Sequence, residues 1–363
     1  MSKKFSLDSH KLHYHFERVA EYQSKGDCYP IYMEVSPVGL CNHRCVFCAY
    51  DYINYPNRKL DTQRFLSFCD EAWGLGLKSM LFAGEGEPLL HPDIGDMVAK
   101  AKELGIDTGM FSNGEMLSEK KARSVLPHLD FLRFSFNGGN ASTYASIHKP
   151  SAGGGGQLMA KVLSNITNAA RLRQSENLSL DLGAQFVLLP ENKDSLLDGV
   201  KAIKEAGLDF ISIKPFVLNN EAQKYAKSTQ KLDMNEVSEL VERAQEMSSE
   251  SFSVIFRENA FSNSAQEERG YTHCRGCSFI TALNSAGELA SCLPYWDKQE
   301  FVYGNIYEKT LYEIWNGAKR AEIKAYLESR LDVSKCPKNC RPNAINEFLE
   351  EICEPKIKHI NFV

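Results

Sequence analysis

The sequence predicts an α/β fold, a partial (β/α)6 TIM-like barrel followed by a small C-terminal cysteine-rich domain. Three observations carry that expectation. Short β-rich runs alternate with helical patterns between residues 31 and 216, and strand–helix alternation forces parallel pairing through right-handed crossovers. Six such units suit a barrel-like sheet that stays open rather than closing at eight. Beyond the alternating region the rhythm stops and six of the 11 cysteines gather in the last quarter of the 363 residues.

Residues 1–30 read as one amphipathic N-terminal helix, a lid or a helix packed on the core, with Leu12, Phe16, Val19 and Ala20 at helical spacing and Gly26 ending it. The barrel, residues 31–225, takes its strands from Ile31–Val35, Ser79–Phe82, Asp107–Phe111, Phe131–Phe136, Ser179–Leu189 and Phe210–Phe216. Helical patterns at Asp61–Leu75, Ile94–Leu104, Ser118–Leu126, Gly156–Arg173 and Ser195–Ala206 separate them. Gly153–Gly156 reads as a flexible loop or a flap at the barrel mouth. Residues 217–265 lack strand rhythm. Within them, residues 226–265 form a helical bridge, where Met234–Met247 turns Val237, Leu240, Val241 and Ala244 inward. Residues 266–345 form the cysteine-rich domain, with a hairpin signal at Asn284–Gly287 between Ile280–Leu283 and Glu288–Ala290. Residues 346–363 read as a tail.

Composition narrows the function. Forty-two basic against 47 acidic residues give a net charge of −5, so no broad basic field invites nonspecific nucleic acid or an anionic membrane. No apolar run approaches the ~20 residues that span a bilayer. The polar start carries no signal core, which places the chain in the cytoplasm. A reducing compartment disfavours structural disulfides, so closely spaced cysteines there point to metal or redox chemistry.

Cys41, Cys45 and Cys48 follow directly on the first strand. Three thiolates in one compact loop suit a soft metal and leave a four-iron cube with one open iron, as a catalytic centre needs. Zinc would require His43 as a fourth ligand, crowded between two cysteines. The spacing resembles the radical SAM (radical S-adenosylmethionine) superfamily over residues 31–216. That resemblance implies a 4Fe–4S cluster on the three cysteines, S-adenosylmethionine chelated at the fourth iron, and a reductant such as flavodoxin or ferredoxin. It implies cleavage to methionine and a 5′-deoxyadenosyl radical that abstracts hydrogen from substrate.

Further motifs extend the resemblance. Glu85-Gly86-Glu87-Pro88 follows the second strand where the family has Gly-Gly-Glu-Pro for the S-adenosylmethionine amine. Gly86 and Glu87 carry over, and Glu85 replaces the first glycine. Ser112-Asn113 and Ser135–Asn137 close the third and fourth strands, where the family binds ribose and carboxylate, often with Asp in place of Asn137. Ordinary Asn-Gly turn chemistry accounts for the same residues. Phe47 fills the aromatic slot whose backbone contacts adenine, or is a core aromatic.

In the last quarter, Cys274, Cys277 and Cys292 precede Gly304-Asn305-Ile306 and a helix containing Ile314-Trp315; Cys336 and Cys340 close the set. This resembles the SPASM/twitch extension, which holds one or two auxiliary 4Fe–4S clusters. One cluster fits the cysteine count better, on Cys274, Cys292, Cys336 and Cys340, with Cys277 competing with Cys274. A zinc ribbon is the alternative. Cys28, Cys69 and Cys353 read as buried apolar thiols. Cys353 is also a candidate ligand of an incomplete second site or, like Cys277, a hydrogen donor.

The substrate belongs between the barrel mouth and the auxiliary domain. Gln185, Lys214 and Arg257 are its candidate contacts, with Lys214, Gln185 and Cys353 the catalytic candidates. His13, His15 and His148 are candidate bases. Thirty residues ahead of the barrel are too few for a leader-peptide module, which favours a small sugar-like or antibiotic-precursor substrate. Its dehydrogenation, with the auxiliary cluster accepting an electron, is the leading expectation. The alternatives are a redox-neutral epimerase or lyase, a peptide- or protein-modifying maturase and, from another class, a non-catalytic zinc-binding module. Oligomeric state stays open.

Overall fold

The computed structural model describes residues 10–151, 153, 155–216, 232, 234–265, 268–295 and 298–362. Its strands are β1 (Tyr32–Val35), β2 (Ser79–Phe82), β3 (Asp107–Ser112), β4 (Phe131–Ser135), β5 (Asp181–Leu188), β6 (Phe210–Pro215), β7 (Ser253–Phe256), β8 (Ile280–Leu283), β9 (Glu288–Ala290) and β10 (Val302–Asn305). They form one sheet in the order β10-β9-β8-β1-β2-β3-β4-β5-β6-β7. β1 through β7 are parallel throughout, and β8 lies parallel to β1 on the other side. The sheet does not close on itself among the described residues.

The helices are α1 (Phe16–Lys25), α2 (Thr62–Gly74), α3 (Ile94–Glu103), α4 (Glu119–Val125), α5 (Ala141–His148), α6 (Gly155–Ser175), α7 (Leu196–Glu205), α8 (Met234–Gln245), α9 (Glu258–Ala265), α10 (Leu311–Trp315), α11 (Ala318–Ser329) and α12 (Asn343–Cys353). Side-chain caps start several of them. Asp61 accepts from the Arg64 amide, Ser118 from Lys121 and Asn140 from Thr143, and Thr310 and Glu313 form a capping box.

Strand side chains alternate between two environments. Met33, Val35, Met80, Phe82, Met110, Phe134, Phe186 and Ile213 face the helices and form the main core. Glu34, Arg133, Gln185 and Lys214 fall on the opposite, lumen face. Aromatic rings fill part of that lumen. A Cβ on Gly109 would come within 2.3 Å of the Phe131 ring, and one on Gly183 within 2.2 Å of Phe210. Only glycine lets those rings lie flat on the sheet.

The structure corrects several sequence expectations. The stretch 217–265 was expected to lack strands, yet β7 pairs parallel with β6 from Ser253 to Phe256; four residues are too short for a period to register. Residues 217–231 and 233, including the start of the expected bridge, lie outside the described set. The N-terminal helix is broken. A single 3₁₀ turn at Leu12–Tyr14 precedes α1, with His15 in a non-helical conformation between them. Leu12, Val19 and Tyr22 are buried against Phe279 and Leu349, whereas Phe16 and Ala20, expected inward, are exposed. Gly26 ends α1 at φ 68° as expected. Of the glycine run, Gly154 is outside the described residues and Gly155 opens α6.

Candidate active site

The three front cysteines sit in the loop between β1 and α2, at the C-terminal edge of the sheet. The loop's stem is fixed by close backbone contact. The Glu87 amide donates to the Leu40 carbonyl at 2.9 Å. A Cβ on Gly86 would lie 2.1 Å from that same oxygen and 2.4 Å from the Val38 oxygen, so no side chain fits there. The Arg44 guanidinium donates to the Cys41 and His43 carbonyls at 2.6 and 2.8 Å. The Asn42 side chain ties the loop to the end of β3, accepting from Asn113 Nδ2 at 2.8 Å and donating to Glu115 at 2.7 Å.

Burial dominates the electrostatics of these thiols. It pushes Cys41 up to about 12, with the Glu87 carboxylate adding to the effect. It drives Cys45 far up as well, with Cys41 and Cys48 as the next contributors. Two thiols that disfavour the bare thiolate, with Cys48 in electrostatic reach of both, fit a cluster whose positive charge stabilises the deprotonated form. His43 stands beside these cysteines, with Nε2 paired to Glu115 at 2.9 Å and a buried Nδ1 that has no hydrogen-bond partner. His148 also approaches, with Nδ1 3.6 Å from Cys45 Sγ. It is fully buried and stacked on Tyr144 at 4.2 Å, and burial holds it neutral. The ligand atoms of His43, Cys45 and His148 lie within 4.8 Å of one another.

Glu87 is buried and accepts from Ser112 Oγ at 2.7 Å, the Asn113 amide at 2.7 Å and the Leu89 amide at 3.1 Å. Burial raises its carboxyl above the ordinary range, and these bonds oppose the rise. Gly86, Glu87, Ser112 and Asn113 therefore form one connected patch beside Cys41. Glu85 stands apart. Its carboxylate takes Arg58 at 2.6 Å, Ser36 Oγ at 3.1 Å and the Ser285 amide at 3.0 Å, which ties the barrel to the β8–β9 hairpin. Asn137 is fully buried as a clasp, accepting from the Val187 amide at 2.6 Å and lying 3.3 Å from His148 Nε2. Ser135 faces Gln185 in register. Phe47 packs with Ile147, Val187 and Leu189 and meets His148 edge-on at 6.2 Å.

Five rear cysteines converge from distant segments. Cys274 and Cys277 have their sulfurs 3.4 Å apart. Cys292 feels Cys274, Cys336 and Cys340, and Cys340 feels Cys274 and Cys336. Asn346 of α12 donates to the Cys274 sulfur at 3.5 Å. The Cys277 thiol bonding to Cys274 is the largest influence lowering Cys274, while Cys277 itself is pushed far up. Donor number and type fit a closed four-thiolate cluster. Cys353 is elsewhere, at the end of α12 beside Arg275, Glu350 and Glu354, and Cys28 and Cys69 are buried free thiols.

Two residues link the centres. Tyr50 packs against the hairpin cluster of Ala282, Ala290, Leu293 and Val302, and its buried phenol feels both Cys48 and Cys292. Arg341, next to Cys340, pairs with Glu34 of β1 at 2.6 Å. In the lumen, Lys214 is depressed to about 7, by burial first and then by Arg133, Arg257 and Arg341. Gln185 Oε1 is buried without a partner. His13 is exposed and His15 half-buried beside α1, away from this group.

A sequence model of the radical SAM superfamily matches residues 35–198, and one of the SPASM iron–sulfur cluster-binding domain matches residues 274–341. This chain is a radical SAM protein with a SPASM domain. The two domains imply a 4Fe–4S cluster with S-adenosylmethionine, and auxiliary iron–sulfur held by the SPASM domain. The radical SAM chain is 27% identical over 198 residues to dTDP-4-amino-4,6-dideoxy-D-glucose ammonia-lyase of Streptomyces venezuelae, covering 51% of this chain and 40% of that one. It is 25% identical over 315 residues to GTP 3′,8-cyclase of Limosilactobacillus fermentum, covering 82% and 86%. The match to PqqA peptide cyclase of Granulibacter bethesdensis is 27% identical over 46% of this chain and 42% of that one. The chain thus spans less than half the length of the ammonia-lyase and of the peptide cyclase. Streptococcus suis SuiB bound to S-adenosylmethionine superposes with a TM-score of 0.63 at 15% identity, over 87% of this chain and 72% of SuiB. Native anSMEcpe with bound AdoMet gives 0.58 at 17% identity, over 88% of this chain and 89% of that one. Among the described residues no helix is long and apolar enough to cross a membrane.

The sequence reading missed Arg133, Glu34, Arg341 and Tyr50. The signal was present for two of them. Glu34 and Arg133 are charges in the middle of apolar strands, and a charge there must face a polar lumen or be paired. Arg341 and Tyr50 carry no comparable pattern, because their neighbours come from remote segments.

Proposed function

We propose that this radical SAM protein dehydrogenates a small sugar-like or antibiotic-precursor molecule at a carbon bearing a hydroxyl or amino group. One observation carries the reading: Tyr50 lies in electrostatic reach of both Cys48 and Cys292, and Arg341, next to Cys340, pairs with Glu34 of β1. When bound, the front cluster with S-adenosylmethionine supplies hydrogen abstraction, and the rear cluster supplies a one-electron acceptor. Dehydrogenation removes a hydrogen atom, then a proton and an electron. Lys214 is the group suited to the proton. Burial among guanidiniums holds it near 7, so a neutral amine is present at working pH. Gln185 would orient the substrate hydroxyl. Gly86 keeps the front loop in register, and Glu87, held by Ser112 and Asn113, presents a carboxylate environment for the S-adenosylmethionine amine. His148 and Phe47 exclude water behind Cys45.

An external reductant such as flavodoxin or ferredoxin belongs to this reading, and a cytoplasmic location suits it. The ammonia-lyase relative supports a second reading, redox-neutral elimination from the same lumen. Anaerobic turnover with dithionite and candidate polyols or amino sugars separates the two. The first expects an oxidised carbonyl product and 5′-deoxyadenosine in equal amounts. A product at the substrate's oxidation level overturns dehydrogenation in favour of the second.

A further inference from the structure

We propose that His148 is a positioning residue of the front centre: its Nδ1–H donates a hydrogen bond to the Cys45 sulfur and raises the reduction potential of the cluster that Cys45 holds. The inference rests on the front cluster and not on the reaction proposed above.

Backbone contacts build the placement. His148 ends α5, and the last turn of that helix is bonded to the cysteine loop. The Arg44 amide donates to the His148 carbonyl at 3.2 Å, and the Val46 amide donates to the Ile147 carbonyl at 2.9 Å. Those two donors flank Cys45 in sequence. The imidazole is fully buried and stacked on Tyr144 with ring centroids 4.2 Å apart, which fixes its plane. Nδ1 then lies 3.6 Å from Cys45 Sγ, a length suited to the large sulfur atom.

The other ring nitrogen decides where the proton sits. Nε2 faces two donors, the Asn137 amide and Asn137 Nδ2, each at 3.3 Å. A backbone amide only donates. The Asn137 side chain is oriented by its Oδ1, which accepts from the Val187 amide at 2.6 Å, and this leaves Nδ2 for the imidazole. Asn192 braces the same turn, its Nδ2 donating to the Asn137 carbonyl at 3.0 Å and to the Val187 carbonyl at 2.9 Å. Nε2 therefore accepts, and the ring is neutral with its proton on Nδ1. That proton faces Cys45, the one partner of Nδ1 among the described residues, and a buried N–H left unbonded would be costly. Both nitrogens are thus committed, so His148, a candidate base from sequence, has no lone pair for a substrate.

Hydrogen bonds to cluster sulfurs are a lever on reduction potential, and outer partners such as Asn137 set the tautomer that pulls it. An N–H···S bond draws electron density from the sulfur and favours the reduced, more negative state. Electron entry at the front centre is eased by one side chain that touches no substrate.

Redox titration of the reconstituted full-length holoprotein, followed by electron paramagnetic resonance without substrate or S-adenosylmethionine, tests this. The front signal is the one missing when Cys41, Cys45 and Cys48 are replaced by Ala, and the rear signal is an internal reference. His148→Phe keeps a ring on Tyr144 and removes the donor. At fixed potential its reduced-to-oxidised ratio at the front should fall about ten-fold, a midpoint about 59 mV more negative for one electron. His148→Asn places an amide near the Nδ1 position, and its midpoint should lie closer to wild type than to the Phe variant. The rear midpoint should stay in place. A front midpoint unchanged or more positive in the Phe variant, an equal move of the rear midpoint, or an Asn variant displaced as far as the Phe variant would overturn the assignment. Wild-type protein labelled with nitrogen-15 histidine decides the matter if the Phe variant loads no iron. Pulsed resonance should show a nitrogen coupling to the reduced front cluster that survives His43→Gln; no coupling, or one that vanishes with His43, would overturn the role of His148.

Discussion

The front and rear cysteine centres use the same side chain in opposite ways. The front three come from eight consecutive residues, and one loop holds them by its own backbone, by Gly86 packed on Leu40 and by Arg44 on the loop carbonyls. The rear five come from segments that span residues 274–340 and meet only through the tertiary fold, with α12 reaching back through Asn346. Three donors leave a metal corner open, whereas the rear set has enough donors to close its cluster. The contrast teaches that the catalytic site is a local device inserted at a strand end and the auxiliary site is a consequence of global topology. β8 joins the sheet beside β1, so the rear domain is an extension of the barrel wall, and Arg341 reaches the lumen because of it.

The largest expected effect tests the independence of the two centres. Replacing Cys41, Cys45 and Cys48 with Ala should remove about four irons per chain and leave the rear cluster's visible absorption in place; loss of all iron would show that the centres assemble as one. Next in size is Gly86→Ala. Its Cβ would meet backbone oxygen at 2.1 Å, which the chain cannot relieve by moving a side chain. We expect destabilisation of about 4 kcal/mol or more in denaturant titration, or an insoluble chain. Wild-type stability would refute the close contact as the reason for glycine.

A third prediction sharpens the rear half of the comparison. Cys274→Ser should lose more of the rear iron than Cys277→Ser, since the Asn346 amide donates to the Cys274 sulfur at 3.5 Å and orients it. Iron and sulfide analysis reads the difference, and the opposite order would assign the ligand to Cys277.

The smallest effect on stability concerns Lys214, whose folded value of about 7 lies below its ordinary 10.5. Between those values the unfolded chain binds the proton that the folded chain has released, so stability rises with pH across that window. The cost of the buried ammonium is complete below about pH 7 and fades toward 10.5. Lys214→Met should therefore stabilise the protein most below pH 7 and progressively less above it, in paired melts. The same substitution should abolish turnover, and the wild-type rate should rise with pH through about 7 as the amine loses its proton. A flat pH profile would remove Lys214 as the base.

Legibility in the sequence divides along the same line. The six barrel strands, the hairpin at Ile280–Ala290 and the front cysteine loop repeat a period or a spacing within a few residues, so local pattern suffices. β7 is too short for that. The helix α5, which carries His148 to Cys45, has mixed polar and apolar residues without a clear stripe. Glu85 matched a position in a motif, yet its carboxylate is used by Arg58 and Ser285; the partner residue lies two hundred positions away in sequence and leaves no local trace. The contact of Asn346 with the Cys274 sulfur is equally remote in sequence. Contacts across long sequence separations set the specific chemistry, and spacing alone records only the local half.

The central claim is that the front loop holds a cluster with an open corner that splits S-adenosylmethionine. Anaerobic reconstitution followed by chromatographic measurement of 5′-deoxyadenosine, with dithionite and S-adenosylmethionine, tests it most directly. The account predicts that wild-type protein forms 5′-deoxyadenosine and that the variant lacking Cys41, Cys45 and Cys48 forms none. Equal formation by both proteins, or none by a fully iron-loaded wild type, would contradict it.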